Sequence, residues 1–258
     1  MQCAACDYQV SVTAGTIFQD THQPLTLWFR AIWHVVSQKT GASALGLQRE
    51  LGLGSYRTAW SWLHKLRRAM VRPGRDQLTG RVEVDETYIC GLDEGQHGRP
   101  GTDSRKALVV IAAQEDGRRI GRIRMRRIVQ ASAAQLHPFI LDSIQRGSTV
   151  HTDGWKAYAG LRLQGYDHEV DFLKNDAELL PRVHRVAALL KRRLISTHQG
   201  AVSHEHLDYY LDEFTFRFNR RASQYRGKLF FRLLEQAVAV EPAPYRTLVK
   251  NVRGRNHH

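Results

Sequence analysis

The periodicity of apolar residues changes near residue 72, and that change limits the fold more than any other feature. Up to about residue 71 apolar residues recur at helical spacing, and beyond residue 80 they fall into β-type runs. The break is Arg72-Pro73-Gly74-Arg75, a turn-forming sequence. A purely helical or purely β fold is therefore excluded, and a helical region followed by an α/β region is expected. In the first part, residues 24–38 place Leu25, Trp28, Ile32, Val35 and Val36 on one helical face. A second helix is expected over 42–51, broken by Gly52-Leu53-Gly54. Ser55 can cap a third helix that runs to about Val71. Two helices joined by a short glycine turn make a helix-turn-helix candidate over 23–75. On its second helix Ala59, Trp62, Leu63 and Leu66 are expected to face inward. Arg57, Thr58, Ser61, His64, Lys65 and Arg68 are expected to face outward. Arg57, Lys65 and Arg68 are then the candidates for contact with phosphates or guanine edges in a major groove. The other reading is a small helical bundle with a solvated basic face.

In the second part RVEVDETYI (81–89) and ALVVIAAQ (107–114) read as strands. IGRIRMRRI (120–128) alternates, with Arg122, Arg124 and Arg126 on one face and Ile123 and Met125 on the other. Gly117 between the last two runs suggests a hairpin. A polar, glycine-rich loop covers 91–106, a helix is expected over 131–144, and TVHTD (149–153) is a short strand. A helical stretch from Trp155, a strand at EVDF (169–172), and helices from Pro181, over 203–221 and over 228–239 complete the plan. The order β-β-β-α-β-α-β-α is that of a mixed α/β domain.

Charge adds a partner. The 258 residues carry 38 Lys and Arg against 25 Asp and Glu, a net charge of +13. Residues 1–80 hold 9 basic and 4 acidic groups, 81–172 hold 13 and 13, and 173–258 hold 16 and 8. A neutral, acid-containing centre between basic flanks fits an enzyme acting on a phosphate backbone better than a ribosomal or histone-like binder. The sequence has no apolar run long enough for a membrane span and no apolar leader. With 42% hydrophobic residues it can bury a core, and its 3 cysteines are too few for a disulfide scaffold. A reducing cytoplasm is the expected compartment.

Asp85 interrupts the β run Val82-Glu83-Val84-Asp85-Glu86-Thr87-Tyr88, on the face opposite Val84 and Glu86. A carboxylate there is costly unless it is paired or binds a metal. Asp153 ends the strand of His151-Thr152-Asp153-Gly154-Trp155, and acids at such strand ends commonly face a ligand. If the strands are neighbours, the two acids can converge on Mg2+ or Mn2+. On the helix from Pro181, His184 and Lys191 lie within about 20° of each other, two turns apart. A metal ligand and a cation can share that face. Structural acids, a core histidine and a solvated charge run remain the alternative for each.

VEVDETY, HTDGWKAY, LPRVHRVAALLKRRL and HLDYYLDEFTFRFNRR resemble, in this order, the motifs of a group of bacterial insertion-sequence transposases. This is the ISXO-like group, with an N-terminal zinc ribbon, a helix-turn-helix and a DDE-type catalytic domain. The resemblance spans nearly the whole chain and is strongest over 81–236. It implies an RNase H-like domain, a mixed sheet with flanking helices, over 78–200. C-terminal helices over 201–240 would pack on that domain, and 241–258 would be a loose basic tail. It further implies that Asp85 and Asp153 are the first two catalytic acids. His184 takes the third position, most often Glu in the group, seven residues before Lys191. Imidazole is softer than carboxylate, so Mn2+ is expected to gain on Mg2+ relative to a Glu enzyme. Cys3 and Cys6, within 1–22, match the second half of the zinc ribbon. A structural zinc takes four ligands, and the first cysteine pair is absent ahead of Cys3. Either the ribbon is truncated or zinc is not bound. Cys90 reads as a buried apolar residue.

The chemistry implied is two-metal phosphoryl transfer at DNA ends, with Asp85, Asp153 and His184 as ligands and Lys191 offsetting phosphate charge. Arg192, Arg193, Arg217, Arg220 and Arg221 are candidates to hold the DNA backbone. Arg122, Arg124 and Arg126 either line DNA as well or protect an edge strand. The partners implied are double-stranded DNA, as terminal inverted repeats and target, and a second copy of the chain. A non-catalytic repeat-binding repressor and a structure-selective nuclease on the same fold are the competing readings.

Overall fold

The structure is a computed structural model that describes residues 4–7, 11–38, 41–71, 74–89, 106–171, 179–198 and 206–250. Cys3, Cys90, Phe172, nearly all of the 91–106 loop and the last eight residues, 251–258, lie outside the described residues. The chain gathers into two compact units, Met1–Gly74 with Ala222–His258, and Arg75–Arg221.

The first unit is helical. Its elements are α1 (Leu25–Ser37), α2 (Ala44–Leu51), α3 (Tyr56–Ala69), α7 (Arg226–Ala239) and α8 (Tyr245–Lys250). Here α4, α5 and α6 denote helices of the second unit, given below. Ser43 caps α2 by accepting a hydrogen bond from Gly46 N–H at 3.0 Å. Gly52 ends α2 in the left-handed region, at φ 64°, where glycine carries no steric cost. Ser55 precedes α3, but its side chain makes no capping bond. Trp28 of α1 stacks on Trp62 of α3 at 3.8 Å between ring centroids, and Phe18 meets Trp28 edge-on. Ala59, Trp62, Leu63 and Leu66 are buried as the spacing predicts.

The outward face of α3 differs from the expectation. Ser61 and His64 are buried, because α7 and α8 also pack against α3. Trp60 gives α3 a second apolar stripe, in contact with His64 and with Tyr245 of α8. The helix over 226–239 therefore belongs with the N-terminal helices, in the first unit, and not with residues 75–221. The expected loose tail likewise contains α8, held by buried Ala243 and Leu248.

The second unit is built on five strands: β1 (Arg81–Ile89), β2 (Ala107–Asp116), β3 (Arg119–Ile128), β4 (Thr149–Asp153) and β5 (Asp167–Asp171). Their order is β3-β2-β1-β4-β5. The β1–β2 and β2–β3 pairs are antiparallel, and β1–β4 and β4–β5 are parallel. Three meander strands followed by two parallel strands added on the other side of β1 is the RNase H-like arrangement. The helical stretch expected from Trp155 is only two short 3-10 turns, Lys156–Tyr158 and Leu161–Gln164, divided by Gly160 at φ 89°.

Helix α4 (Ala133–Ser143) covers one face, and α5 (Pro181–His198) and α6 (Leu207–Phe218) cover the other. Pro138 sits inside α4, which costs about 3 kcal/mol in an ordinary helix interior. Burial of Leu136, Phe139 and Ile140 around it, about 1.5–3 kcal/mol each, outweighs that cost. On the α4 face, Val82, Val84, Val110, Ala112 and Val150 share one core. On the other, Val109, Ile111, Ile123 and Met125 meet Val183, Val186, Leu190, Leu211 and Phe214.

The arginine stripe of β3 is used inside the unit. Arg124 is buried and donates to the Asp76 carbonyl, and Arg122 donates to the Gln77 carbonyl at 3.0 Å. Arg126 pairs with Asp142 of α4 at 2.7 Å and lies over the Phe139 ring. The stripe thus fixes β3 to α4 and to the 76–77 segment. The open edge of β3 is covered by Asn219, whose amide accepts from Ile123 N–H at 2.7 Å and donates to Ile123 O at 3.1 Å.

Candidate active site

Alternation decides which side chains of β1 and β4 can meet. Val82 and Val84 of β1, and Val150 of β4, point into the α4-side core. Glu83, Asp85, His151 and Asp153 therefore point to the α5 side. Pairing of β1 with β4 runs Arg81 to Thr149, Val82 to Val150 and Glu83 to His151. The same offset carried two residues further sets Asp85 level with Asp153, just past the last paired residues. From this point the chain runs from β1 toward β3 on one side, and from β4 toward β5 on the other. That is a topological switch point, and the carboxyl ends of strands there form the usual ligand crevice of α/β sheets.

Each acid uses one oxygen locally. Asp85 Oδ1 accepts from Glu86 N–H at 2.8 Å, and Asp153 Oδ1 accepts from Trp155 N–H at 3.0 Å. The remaining oxygen of Asp85 faces α5, where His184 Nε2 stands 3.2 Å from Oδ2. The Asp85 side chain is 21% exposed and that of His184 46%. Burial pushes the Asp85 carboxyl above its usual range, and Asp153 adds to the rise, against the pull of Glu86 N–H and His184. Two carboxylates are thus held on one sheet face at an electrostatic cost, which a bound cation removes.

The donor set fits a divalent ion. Asp85 and Asp153 are hard oxygen donors, and His184 adds an imidazole whose Nε2 offers a lone pair in the suitable tautomer. Among the described residues no three His, Cys, Asp or Glu side chains enclose an ion by themselves. Mg2+ and Mn2+ commonly sit on one or two carboxylates and take further ligands from water and substrate phosphates. An open pair of acids is the pattern for that use.

On α5, Lys191 and Arg192 are exposed. Seven residues at 1.5 Å each put Lys191 about 10 Å along the helix from His184. Arg193 and Arg217 differ from the expectation. Both donate at 2.9 Å to Glu213 Oε1, on a side chain only 3% exposed; Arg193 so joins α5 to α6, and Arg217 closes a pair within α6. Arg221 donates to the carbonyls of Ile120 and Gly121 on the β3 edge, and Arg220 lies over the Phe216 ring. In the first unit Arg57 is exposed at the start of α3 and stacks on Tyr245, while Arg68 is half-buried. Lys65 lies over Trp28, and burial lowers its pKa. Of the two zinc candidates only Cys6 is described, and it is exposed.

Several residues beside the acids were not singled out from the sequence. Glu83 is buried and binds Arg182. His151 accepts from Arg81 at Nδ1, so its Nε2–H donates to Asp171, at 2.6 Å. Tyr158 donates to Glu86, and burial holds its hydroxyl well above the usual range, so it stays a donor. The usable signal was alternation: Glu83 and His151 lie two residues before each acid, on the same face.

The segment 77–219, more than half of the chain, matches the model of the ISXO2-like transposase domain. A protein of the transposable element ISH50 from Halobacterium salinarum is 28% identical over 235 residues, covering 83% of this chain and 76% of the relative. Among solved structures, the catalytic core domain of BIV integrase aligns at TM-score 0.40 and 15% identity, over 61% of this chain and 97% of that one. The Mos1 strand transfer complex aligns at TM-score 0.28 and 13% identity, over 85% and 81%. By the match over 77–219, the chain belongs to the ISXO2-like transposase family.

Proposed function

We propose that the chain cuts DNA at the ends of an insertion sequence and joins the freed 3′-OH to target DNA. The observation that supports this most is the placement of Asp85 and Asp153 on one sheet face at the switch point, with His184 against Asp85. Mg2+ or Mn2+, when bound, supplies Lewis acidity to the scissile phosphate and acidifies the attacking water or hydroxyl. Asp85 and Asp153 hold the cations, with His184 as the third donor. In the first step a water oxygen bonds to phosphorus as the bond to the element's 3′ oxygen breaks. In the second that 3′ oxygen bonds to a target phosphorus, and the target's own 3′ oxygen leaves. Lys191 and Arg192 hold backbone phosphates beside the site. No covalent enzyme intermediate is required.

Recognition of the terminal repeats is assigned to the α2–α3 pair, a helix-turn-helix whose contacts begin at Arg57 and include Arg68. Lys65 contributes less, since its amine rests on Trp28. The domain scheme follows: the DNA-binding region over 23–75 and the catalytic domain over 78–200. Two ends must be joined, so the working form is a dimer or larger on DNA.

The test is a joining assay with a duplex that ends in the element's terminal repeat, in Mn2+ and in Mg2+. Products in which the repeat strand is covalently joined to target DNA are expected. Cleavage without joining would favour a nuclease, and binding without cleavage a repressor.

A further inference from the structure

We infer that Glu83 is a positioning residue, which sets the register of α5 on β1 and thereby the approach of His184 to Asp85. The inference rests on the reading of Asp85, Asp153 and His184 as the site. Glu83 is 1% exposed. Its Oε2 accepts from the backbone N–H of Arg182 at 2.7 Å and of Val183 at 3.0 Å. Its Oε1 accepts from Arg182 Nη1 at 2.9 Å. Arg182 reaches on to Glu115 at 2.8 Å and to the Gly117 carbonyl at 2.9 Å.

The first N–H groups of a helix have no partner within the helix, and α5 has no acidic residue in its first turn. Glu83 fills that place from another element, 99 residues earlier in the chain. Its other role is geometric. Glu83 lies two residues before Asp85 on the same face of β1, and the N–H groups it holds belong to the two residues before His184. α5 also packs on the sheet through the apolar side chains Val183, Val186 and Leu190. Apolar packing is non-directional and tolerates sliding. Three hydrogen bonds to one carboxylate do not. Misplacement of a reacting group by about 1 Å can cost on the order of 100-fold in rate.

The test uses the full chain and two variants. Glu83→Gln keeps an acceptor oxygen but loses the charge, and Arg182→Gln keeps both backbone contacts. Measurements are kcat and KM for repeat-end cleavage, Mn2+ affinity by electron paramagnetic resonance, and the melting curve. Both variants are expected to fold; Glu83→Gln lowers kcat about 10-fold or more, with weaker Mn2+ binding and unchanged KM for DNA, and Arg182→Gln, which keeps the backbone contacts, moves both in the same direction by less. In a His184→Ala background Glu83→Gln is expected to change Mn2+ affinity less than about twofold, since the residue it positions is gone. Wild-type kcat and Mn2+ affinity in Glu83→Gln would overturn the inference. So would an undiminished loss in the His184→Ala background, or failure of both variants to fold. A wild-type chain that binds Mn2+ without cutting DNA would remove the proposed function, and the Mn2+ comparison would still decide the role of Glu83. A wild-type chain that does neither would remove both.

Discussion

Asp85 carries the clearest conflict between stability and use. Its carboxylate is mostly buried, close to a second acid, and its pKa is raised by those two causes. A raised carboxyl pKa favours the protonated form in the fold, so this group adds stability at low pH and loses it as pH rises through the folded value. At neutral pH the charged form is a cost in the absence of metal. Asp85→Asn is therefore expected to raise the melting temperature in EDTA, by about 2–4 °C for each 1 kcal/mol relieved, while abolishing cleavage. Differential scanning calorimetry checks the first part. His184 gives a second expectation. Replacing the imidazole by a carboxylate hardens the donor set, so His184→Glu should raise cleavage in Mg2+ relative to Mn2+. Equal ratios in the two enzymes would count against His184 as a ligand. The shared face of Asp85 and Asp153 was legible from alternation in the β runs, and His184 was singled out by its helical spacing to Lys191 and by the resemblance. Glu83 and Arg182 were not singled out, because a Glu in the same run reads as the solvated member of the alternation until its partner is seen.

Helices and strands were legible to different degrees. Strands 81–89 and 149–153 appear as the patterning predicts, since β-rich runs bounded by turns leave little choice. Ser61 and His64 of α3 were misassigned to the outward face, because Trp60 beside His64 contacts an element more than 180 residues away, which local periodicity does not reveal. Arg193 and Arg217 were misplaced for a different reason, the burial of their shared partner. Glu213, which binds both, lies on α6 and looks on sequence like one more surface acid. Removing one member of a buried ion pair costs about 3–5 kcal/mol, because the other charges stay buried. Glu213→Ala should lower stability by that order in urea unfolding of the full chain. A change within about 0.5 kcal/mol, the range of ordinary surface substitutions, would show that the arginines are solvated after all.

Over the whole molecule, the net charge of +13 pointed to a polyanionic partner but not to which arginines meet it. The structure takes Arg193 and Arg217 out of the surface inventory and leaves Lys191 and Arg192 exposed on the helix that carries His184. If those two touch backbone phosphates, Lys191→Gln and Arg192→Gln should each weaken DNA binding and reduce the slope of log K against log salt by about 1. Fluorescence anisotropy at several salt concentrations reads this directly. The central claim is that Asp85 and Asp153 form one shared site for DNA strand chemistry. The most direct measurement is the metal-dependent cleavage rate of a repeat-ended duplex by Asp85→Ala, Asp153→Ala and the double variant. A shared site predicts that each single change removes activity as completely as the double. Either single variant within about tenfold of the wild-type rate, a loss of no more than about 1.4 kcal/mol in barrier, would contradict it.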